Sequence, residues 1–330
     1  MDGHEAHRLS RRRFLASAGA LGAAAWLGPG ELLGGAAPPR PLPHPLPQGG
    51  DGPVQQIRRA AAGDPVQVQR LRGGVSVLSG NGGNVTALAG RDGVLLVDSG
   101  IVAPKVAAAV ATLTRAPIRH VVNTHWHFDH TDGNEWHHAR GAAVTAHENA
   151  RRRMAARTRV DDWDFTFPPS PRGALPATLV AAERTLRPGG AEVVVRPYPP
   201  SHTDTDLAVH LVDADVLVLG DTWWNGIYPF IDYSTGGSID GTIRAAEATL
   251  AMGSPTTVLV PGHGPVGGRA DLAGYRDMLV ELRERVAALK ARGMTAAQAV
   301  AARPTAPYDA QWSGGPVDGA FMTRLAYKGV

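Results

Sequence analysis

Three histidines and two aspartates lie within eight positions, from His125 to Asp132, in the stretch NTHWHFDHTDGN. Imidazole and carboxylate groups that leave the surface need a hydrogen-bond partner, a metal ion or water. Both groups are ordinary ligands of zinc and neighbouring divalent ions. The chain has no cysteine, so a metal site would use nitrogen and oxygen ligands alone. The cluster therefore predicts metal binding, in preference to a polar loop with solvated histidines.

Three further candidate ligands follow apolar runs that are typical of strands. They are His202 in SHTDTD, Asp221 in LGDTWWN and His263 in PGHG. Any one of them alone is more often a cap or a satisfied core group. Their joint occurrence in this order, downstream of the cluster, favours a shared site.

The spacing inside the cluster suggests two adjacent sites. Residues two apart in a strand project to the same side. The strand IRHVVNTH is predicted to run into the cluster, with the motif on a loop at the strand's end, so His125 and His127 can reach one ion. The turn that follows would then direct Asp129 and His130 towards another ion.

The elements that must hold these side chains alternate in type along the chain. Short β-type runs separated by turn signals predict a meander of paired strands from Val66 to Val97. Helical signals begin at APKVAAAVATLT, where Pro104 can occupy a first turn. Four apolar strands are predicted later in the chain, with the helix TIRAAEATLAMG between the last two. Their sequences are AEVVVRPYPPSH, DLAVHLV, VLVLGD and TVLVPGHG.

The composition indicates one globular catalytic domain with a sizeable core. The chain has 330 residues, of which 43% are hydrophobic and 19% charged, with a formal net charge of +3. The arginine run from Ala150 to Arg159 is better explained as a solvated helix face than as a nucleic-acid contact. We therefore expect a small-molecule substrate and no nucleic-acid partner, and the oligomeric state stays open.

The N-terminal residues resemble a twin-arginine export signal. The stretch SRRRFLASAGALGAAAWLG places a serine, paired arginines and two apolar residues ahead of a modest apolar segment. The motif positions are Ser10, Arg11, Arg12, Phe14 and Leu15. We expect a signal peptide over residues 1–37, a proline-rich linker over 38–53 and the catalytic domain over 54–330. The mature protein would then be periplasmic or secreted, without a stable membrane span; a basic N-terminal amphipathic helix is the alternative.

The pattern HxHxDH followed by a distant His, Asp and His resembles the metallo-β-lactamase-fold hydrolase superfamily, over roughly Val66 to Gly267. The resemblance implies an α/β fold, a four-layer αββα sandwich with the metal cleft at one edge of two sheets. It also implies that Asp98, in the stretch VLLVDSG, supports the metal ligands or the fold.

The resemblance implies how the seven candidate ligands divide between two ions. The first ion would be held by His125, His127 and His202, the second by Asp129, His130 and His263, and Asp221 would bridge them. Asp129 and Asp221 are the expected catalytic residues. Zinc is the first expectation for both ions, and the oxygen bridge is compatible with iron or manganese.

Two divalent ions can share a water molecule and lower its pKa, so the expected nucleophile is a metal-bridging hydroxide. The expected reaction is hydrolysis of an ester, lactone, thioester, phosphoester or β-lactam bond. The sequence has no GxSxG elbow, no GxxxxGK loop and no cysteine nucleophile. An aspartate at position 221 is closer to glyoxalase II, lactonases and phosphodiesterases than to the commonest zinc β-lactamases. The stretches HTDTDLAVHL, LGDTWWNGIYPFID and PGHGPV resemble exported bacterial hydrolases, some associated with quinoprotein or sulfur-oxidation systems.

Two alternatives stay open at this point. One is a mononuclear iron oxidoreductase of the same fold that acts on persulfides. The other is a noncatalytic metal-binding or partner-binding module. Two bound zinc ions would favour hydrolysis, whereas one iron with oxygen consumption would favour oxidation.

Several further stretches carry weaker predictions. Four aromatic residues after Asp221 either wall a substrate cleft or pack in the core: Trp223, Trp224, Tyr228 and Phe230. The region from His147 to Gly190 is expected to select substrate. The helix ADLAGYRDMLVELRERVAALKARG shows one apolar stripe, which predicts packing on the core, with a partner-binding face as the alternative. Eight histidines are predicted as non-ligands: His4, His7, His44, His120, His137, His138, His147 and His210.

Overall fold

The computed structural model of the protein describes residues 52–330. The predicted signal peptide, over residues 1–37, and the linker up to residue 51 lie outside the described residues. Within the described part, none of the helices is both long and apolar enough to cross a membrane.

Two β-sheets and a separate hairpin contain the strands of the described part. In chain order these strands are β1 (Gln67–Arg70), β2 (Val75–Ser79), β3 (Val85–Gly90), β4 (Gly93–Val97), β5 (Ile118–Val122), β6 (Ala143–His147), β7 (Thr158–Val160), β8 (Phe165–Phe167), β9 (Thr178–Val180), β10 (Arg184–Leu186), β11 (Val193–Pro197), β12 (Leu207–Leu211), β13 (Val216–Val218) and β14 (Val258–Val260). The first sheet has the order β1-β2-β3-β4-β5-β6-β9 and the second β10-β11-β12-β13-β14, while β7 pairs with β8.

The antiparallel strands β1 to β4 form the predicted meander, and β5, β6 and β9 extend the sheet in parallel. In the second sheet β10 to β13 are antiparallel and β14 is parallel to β13. The four predicted apolar strands are therefore β11 to β14, which lie side by side.

Helices cover the outer faces of both sheets. The α-helices of the described part are α1 (Pro53–Gly63), α2 (Ala103–Ala111), α3 (Phe128–Thr131), α4 (Asn134–His138), α5 (Glu148–Ala155), α6 (Ile239–Met252), α7 (Arg269–Ala291), α8 (Ala296–Ala301), α9 (Asp309–Trp312) and α10 (Gly319–Lys328). Val106 and Val110 of α2 pack on the first sheet, in one cluster with Leu96. Ile239 of α6 and residues of α7 and α10 share a cluster with Leu217 of the second sheet.

Strand alternation divides the core into layers. Val216 and Val218 of β13 face the other sheet, in a cluster with Val97 of β4. Leu217, which lies between them, and Leu219 face the helices instead. Because successive side chains of a strand point to opposite faces, a strand buried on both faces needs an unbroken apolar run. The predicted four-layer αββα sandwich is confirmed.

The long helix α7 packs on the core as its apolar stripe predicted. The buried stripe residues are Leu272, Tyr275, Leu279, Leu282 and Val286, while Leu289 is half-buried. The same side chains belong to the cluster that covers the second sheet. Burial of this stripe against the sheet accounts for the three-four spacing without a partner.

The helix α1 was not predicted, and it begins at Pro53, inside the predicted linker. Proline occupies the first turn, and no side chain caps the helix at Gly52. Only Val54 and Ala61 are buried, so the helix has no long apolar stripe for sequence analysis to detect.

Candidate metal centre

All seven predicted ligands lie at one edge of the sandwich, because each follows the carboxyl end of a strand. The cluster His125–His130 follows β5, His202 follows β11, Asp221 follows β13 and His263 follows β14. β11, β13 and β14 run in the same direction within their sheet. Parallel strands end at the same edge, so their loops converge there.

Four of the side chains form the first cluster, which consists of His125, His127, His202 and Asp221. One potential ligand atom from each lies within 4.8 Å of the others, and all four residues are buried. His202 Nε2 lies 2.9 Å from His127 Nδ1 and 3.5 Å from Asp221 Oδ2. His125 Nε2 lies 3.8 Å from the same carboxylate oxygen.

The second cluster consists of Asp129, His130 and His263, again with ligand atoms within 4.8 Å of one another. His263 Nε2 lies 3.3 Å from Asp129 Oδ2, and His130 Nε2 lies 3.6 Å from it. Asp221 also reaches this cluster, since its Oδ1 is 3.1 Å from His130 Nε2 and its Oδ2 is 3.3 Å from His263 Nε2. The Asp221 carboxylate therefore lies between the two clusters.

Several atoms of the two clusters are buried without a hydrogen-bond partner. They are the Nε2 atoms of His125, His130 and His263 and the Oδ1 atom of Asp221. Their contacts with one another and with Asp221 Oδ2, at 3.1 to 3.8 Å, lack hydrogen-bond geometry, so a bound ligand would offset the cost of about 1 to 3 kcal/mol of each unpaired buried polar atom. Imidazole nitrogens and carboxylate oxygens at this separation fit two divalent cations.

The electrostatics of the clusters also favour added positive charge. Burial raises the pKa of Asp221, but the charges of His263 and His130 outweigh it and hold that pKa well below its usual range. Burial lowers the pKa of His125 and of His202, which keeps their nitrogens neutral and available. For His263 burial is opposed by the Asp221 charge, which raises the pKa to about 9. The proton on His263 supplies positive charge that a bound cation would otherwise supply.

Asp98 supports the second cluster from behind, as the resemblance implied. Its Oδ2 accepts a hydrogen bond from His130 Nδ1 at 2.8 Å, which leaves Nε2 to face the cluster. The same carboxylate accepts from the Thr124 backbone N–H at 2.7 Å and from the Thr124 hydroxyl at 2.8 Å. One buried aspartate thus holds both the loop that carries His125 and the ring of His130.

Asp232 has the corresponding role in the first cluster, and sequence analysis missed it. His127 Nε2 lies 3.0 Å from Asp232 Oδ2, so Nδ1 of the same ring faces His202. Asp232 also accepts from Thr235 Oγ1 at 2.6 Å and from the Ser234 N–H at 2.9 Å. The signal that could have drawn attention to it is a carboxylate at the end of the apolar run YPFID.

The strand argument for His125 and His127 was wrong. β5 ends at Val122, the intervening residues form a turn, and α3 begins directly after His127. Because Thr124 is bonded to Asp98, the chain turns before the first histidine. Both rings still reach the first cluster, but His125 presents Nε2 and His127 presents Nδ1.

Two glycines allow the backbone to approach the clusters closely. A Cβ atom at Gly262 would collide with Asp221 Oδ1, and one at Gly83 would collide with the ring of His130. Only residues without a side chain leave these two groups in place.

A cavity of about 590 Å³ opens onto the metal centre, and Asp129, Asp221 and His263 form part of its wall. Trp224 lines it and packs on His263, with ring centroids 4.2 Å apart. Phe230 lines it too, stacked on Trp163 at 4.8 Å.

The four aromatic residues after Asp221 therefore divide between the two predicted roles. Trp224 and Phe230 wall the cleft, whereas Trp223 and Tyr228 are fully buried in the core. Trp163 lies in the connection between β7 and β8, so the segment from His147 to Gly190 supplies one wall residue. Substrate selection by that segment stays a prediction.

The predicted non-ligand histidines split by position. His4, His7 and His44 lie outside the described residues. The other five belong to neither cluster: His120, His137, His138, His147 and His210.

Comparisons with known proteins agree with this architecture. A family model described as the metallo-beta-lactamase superfamily matches residues 78–263. A comparison with curated proteins found no match.

Three solved structures have a similar fold, at identities that bear on the fold alone. A metallo-beta-lactamase from Pontibacter korlensis is 20% identical with a TM-score of 0.52, over 65% of this chain and 98% of that one. The DIM-1 metallo-beta-lactamase is 18% identical with a TM-score of 0.53, over 65% of this chain and 97% of DIM-1. The stereoselective inverting sec-alkylsulfatase Pisa1 from Pseudomonas sp. is 17% identical with a TM-score of 0.59, over 83% of this chain and 51%, about half, of the sulfatase. The family match, together with a sandwich whose strand ends converge on His and Asp side chains, shows that the chain belongs to the metallo-beta-lactamase superfamily.

Proposed function

We propose that the protein is an exported, dinuclear, metal-dependent hydrolase of small molecules. The observation that carries the proposal is the group of four buried, unpartnered ligand atoms shared between the two clusters. The first ion would be held by His125, His127 and His202, the second by Asp129, His130 and His263, and Asp221 would contribute to both. Zinc is the first choice of metal, with iron or manganese compatible with the same ligands.

When bound, two divalent ions activate a shared water molecule and polarise the bond to be cleaved. The protein's own residues set the conditions for that chemistry. Asp98 and Asp232 hold the rings of His130 and His127 in one tautomer. Asp129 lines the cavity, and its Oδ2 lies 3.3 Å from His263 Nε2. The proposed bond is an ester, lactone, thioester, phosphoester or β-lactam.

Two observations favour this function over its alternatives. A noncatalytic metal site is closed by its ligands, whereas this centre borders a cavity large enough for a small molecule. A mononuclear iron oxidoreductase needs one set of ligands, whereas the two clusters offer seven side chains.

The test combines metal analysis with a panel of chromogenic ester, lactone, phosphodiester and cephalosporin substrates. We expect two ions per chain and turnover of at least one class. His202→Ala should lose chiefly the first ion and His263→Ala chiefly the second, each with a large loss of turnover. His210→Ala is the matched control, because His210 belongs to neither cluster. Full metal occupancy in both ligand variants, or one iron per chain with oxygen consumption, would contradict the proposal.

Export has a separate test, which depends on Arg11 and Arg12. Replacing both with Lys should leave the protein in the cytoplasm, since the paired arginines are the signal that this export route reads. The control is Arg13→Lys, which changes the neighbouring arginine outside the motif positions. Normal export of the double variant would show that the twin-arginine interpretation is wrong.

A further inference from the structure

The cavity beside the metal centre is closed by two segments that lie outside residues 78–263, the part matched by the family model. One is α1, which contributes Ile57 and Ala60 to the wall. The other follows α9 and enters α10, and it contributes Val317 and Phe321. Residues on both sides of the family match therefore form part of the wall of this cavity.

The helix α1 is held firmly in this position. Arg58 forms a two-point ion pair with Asp132, with nitrogen-to-oxygen distances of 2.8 and 3.1 Å. Asp132 directly follows α3, which carries Asp129 and His130. The Lys105 ammonium donates to the backbone carbonyls of Ala61 and Asp64, at 3.0 and 2.8 Å, where α1 ends. The wall is thus tied to the loop that carries the second cluster.

The cavity has a polar end and an apolar body. Asp129, Asp221 and His263 lie at the metal end. The rest of the wall, here called the body, is mainly apolar: it is lined by Ile57, Phe128, Trp163, Trp224, Ile227 and Phe321, together with polar residues such as Asp64, Gln67 and Asn84. Within residues 52–330, the side chains that line the cavity include no lysine or arginine. A negative charge on the part of a substrate that fills this body would have no cationic partner, and burial of an unpaired charge is strongly unfavourable.

We propose that this cavity selects substrates whose body, next to the scissile bond, is apolar and uncharged, and that it excludes a second anionic group there. The inference rests on the proposed hydrolase function and narrows it to neutral esters, lactones or thioesters with a hydrocarbon part. Cephalosporins, which carry a carboxylate beside the reacting lactam bond, should be poor substrates.

The test compares para-nitrophenyl butyrate with para-nitrophenyl hemisuccinate, in which a carboxylate replaces the terminal methyl group of the acyl chain. We expect the holoenzyme to prefer the butyrate in kcat/KM by at least about tenfold, because the hemisuccinate buries an unpaired carboxylate. Lengthening the acyl chain from acetate to hexanoate should raise kcat/KM by up to about fourfold per buried methylene.

Two variants place a cation in the cavity from different segments, Ile57→Lys on α1 and Ile227→Lys in the segment between β13 and α6. Each should shift the preference towards the hemisuccinate by about tenfold, since the new ammonium can pair with the carboxylate. Leu179→Lys is the matched control, because it adds the same charge at an exposed position outside the cavity. Circular dichroism identifies any variant that fails to fold.

A binding measurement separates this proposal from the proposed function. Para-nitrophenyl hexyl ether has no hydrolysable bond, and the same ether ending in a carboxylate is its anionic match. The protein could cleave none of the esters, yet bind the neutral ether at least about tenfold more tightly than the anionic ether, with that order reversed in Ile57→Lys. The cavity proposal would then stand while the hydrolase proposal fails. If the protein cleaves both esters equally well, or binds both ethers equally, the cavity proposal is overturned. Unchanged selectivity in both folded lysine variants would overturn it as well.

Discussion

Removal of the Asp232 carboxylate should weaken metal binding at the first cluster without any direct loss of a ligand. Asp232 is buried, and its Oδ2 is the hydrogen-bond partner of His127 Nε2 at 3.0 Å. That bond fixes the proton on Nε2 and leaves Nδ1 free for the cluster. In Asp232→Ala the ring loses this orientation, and the N–H of Ser234 and the hydroxyl of Thr235 lose their acceptor too.

The size of the effect follows from the type of hydrogen bond that is lost. Mutation of such a supporting partner typically reduces metal affinity about 10- to 100-fold, which corresponds to about 1.4 to 2.7 kcal/mol. Burial raises the pKa of Asp232, but the hydrogen bond and charge of His127 outweigh it and lower the net pKa. The group is therefore a carboxylate at neutral pH. Asp232→Asn keeps one oxygen but loses the charge, so its effect should lie between the parent and Asp232→Ala.

The assay is competition between the protein and a chromophoric chelator, which gives a dissociation constant for each ion. We expect the first ion to bind more weakly in both Asp232 variants and the second to be nearly unaffected. Asp240→Asn is the control, because Asp240 pairs with Arg283 and touches neither cluster. If folded Asp232→Ala binds both ions as tightly as the parent, the assigned role of Asp232 is wrong.

Substitutions at three other residues test the site and the surrounding fold. Asp221→Asn removes the charge shared by both clusters, so the second ion should be lost first and turnover should fall by orders of magnitude. Asp221→Cys should retain zinc better than Asp221→Asn does. Metal stoichiometry, circular dichroism and turnover check both variants. Gly262→Ala places a methyl group against Asp221 Oδ1 and should lower metal occupancy while the protein stays folded, as metal analysis would show. Burial lowers the pKa of His137 from 6.5 to about 4, so between those values the unfolded chain binds a proton that the folded chain does not. Stability should therefore fall by up to about 3 kcal/mol as pH drops through this range, and His137→Leu should flatten that part of the profile in denaturant unfolding with chelator present.

Controls for these changes are available in the chain. Gly274→Ala adds a methyl group in α7 with no atom within 4 Å and should leave metal binding unchanged. His138→Leu alters the exposed neighbour of His137 and should keep the parent's pH dependence. Parental activity with two tightly bound ions in Asp221→Asn would exclude a bridging role. Full metal occupancy in Gly262→Ala, or a parental pH profile in His137→Leu, would refute the corresponding argument.

Local patterns were sufficient to predict much of the fold. The apolar runs of β11 to β14, interrupted only by Arg196 and His210, identified buried strands, because a strand covered on both faces has few polar positions. The three-four spacing of α7 identified its buried stripe. The strands β7 to β10 are three residues long and each contains a threonine, so they show neither a period nor an apolar run and were not predicted. The same holds for α1, which buries only two residues.

The sequence by itself determined which side chains are candidates for the metal centre, since ligand chemistry depends on residue type and the order His125 to His263 is read directly. Only the tertiary structure decided how those side chains meet. The Asp232 partner of His127 lies 105 residues away along the chain. The cavity joins α1 to the segment before α10 at the other end of the domain. These contacts form only when the two sheets and their covering helices pack, and no local pattern along the chain encodes that packing.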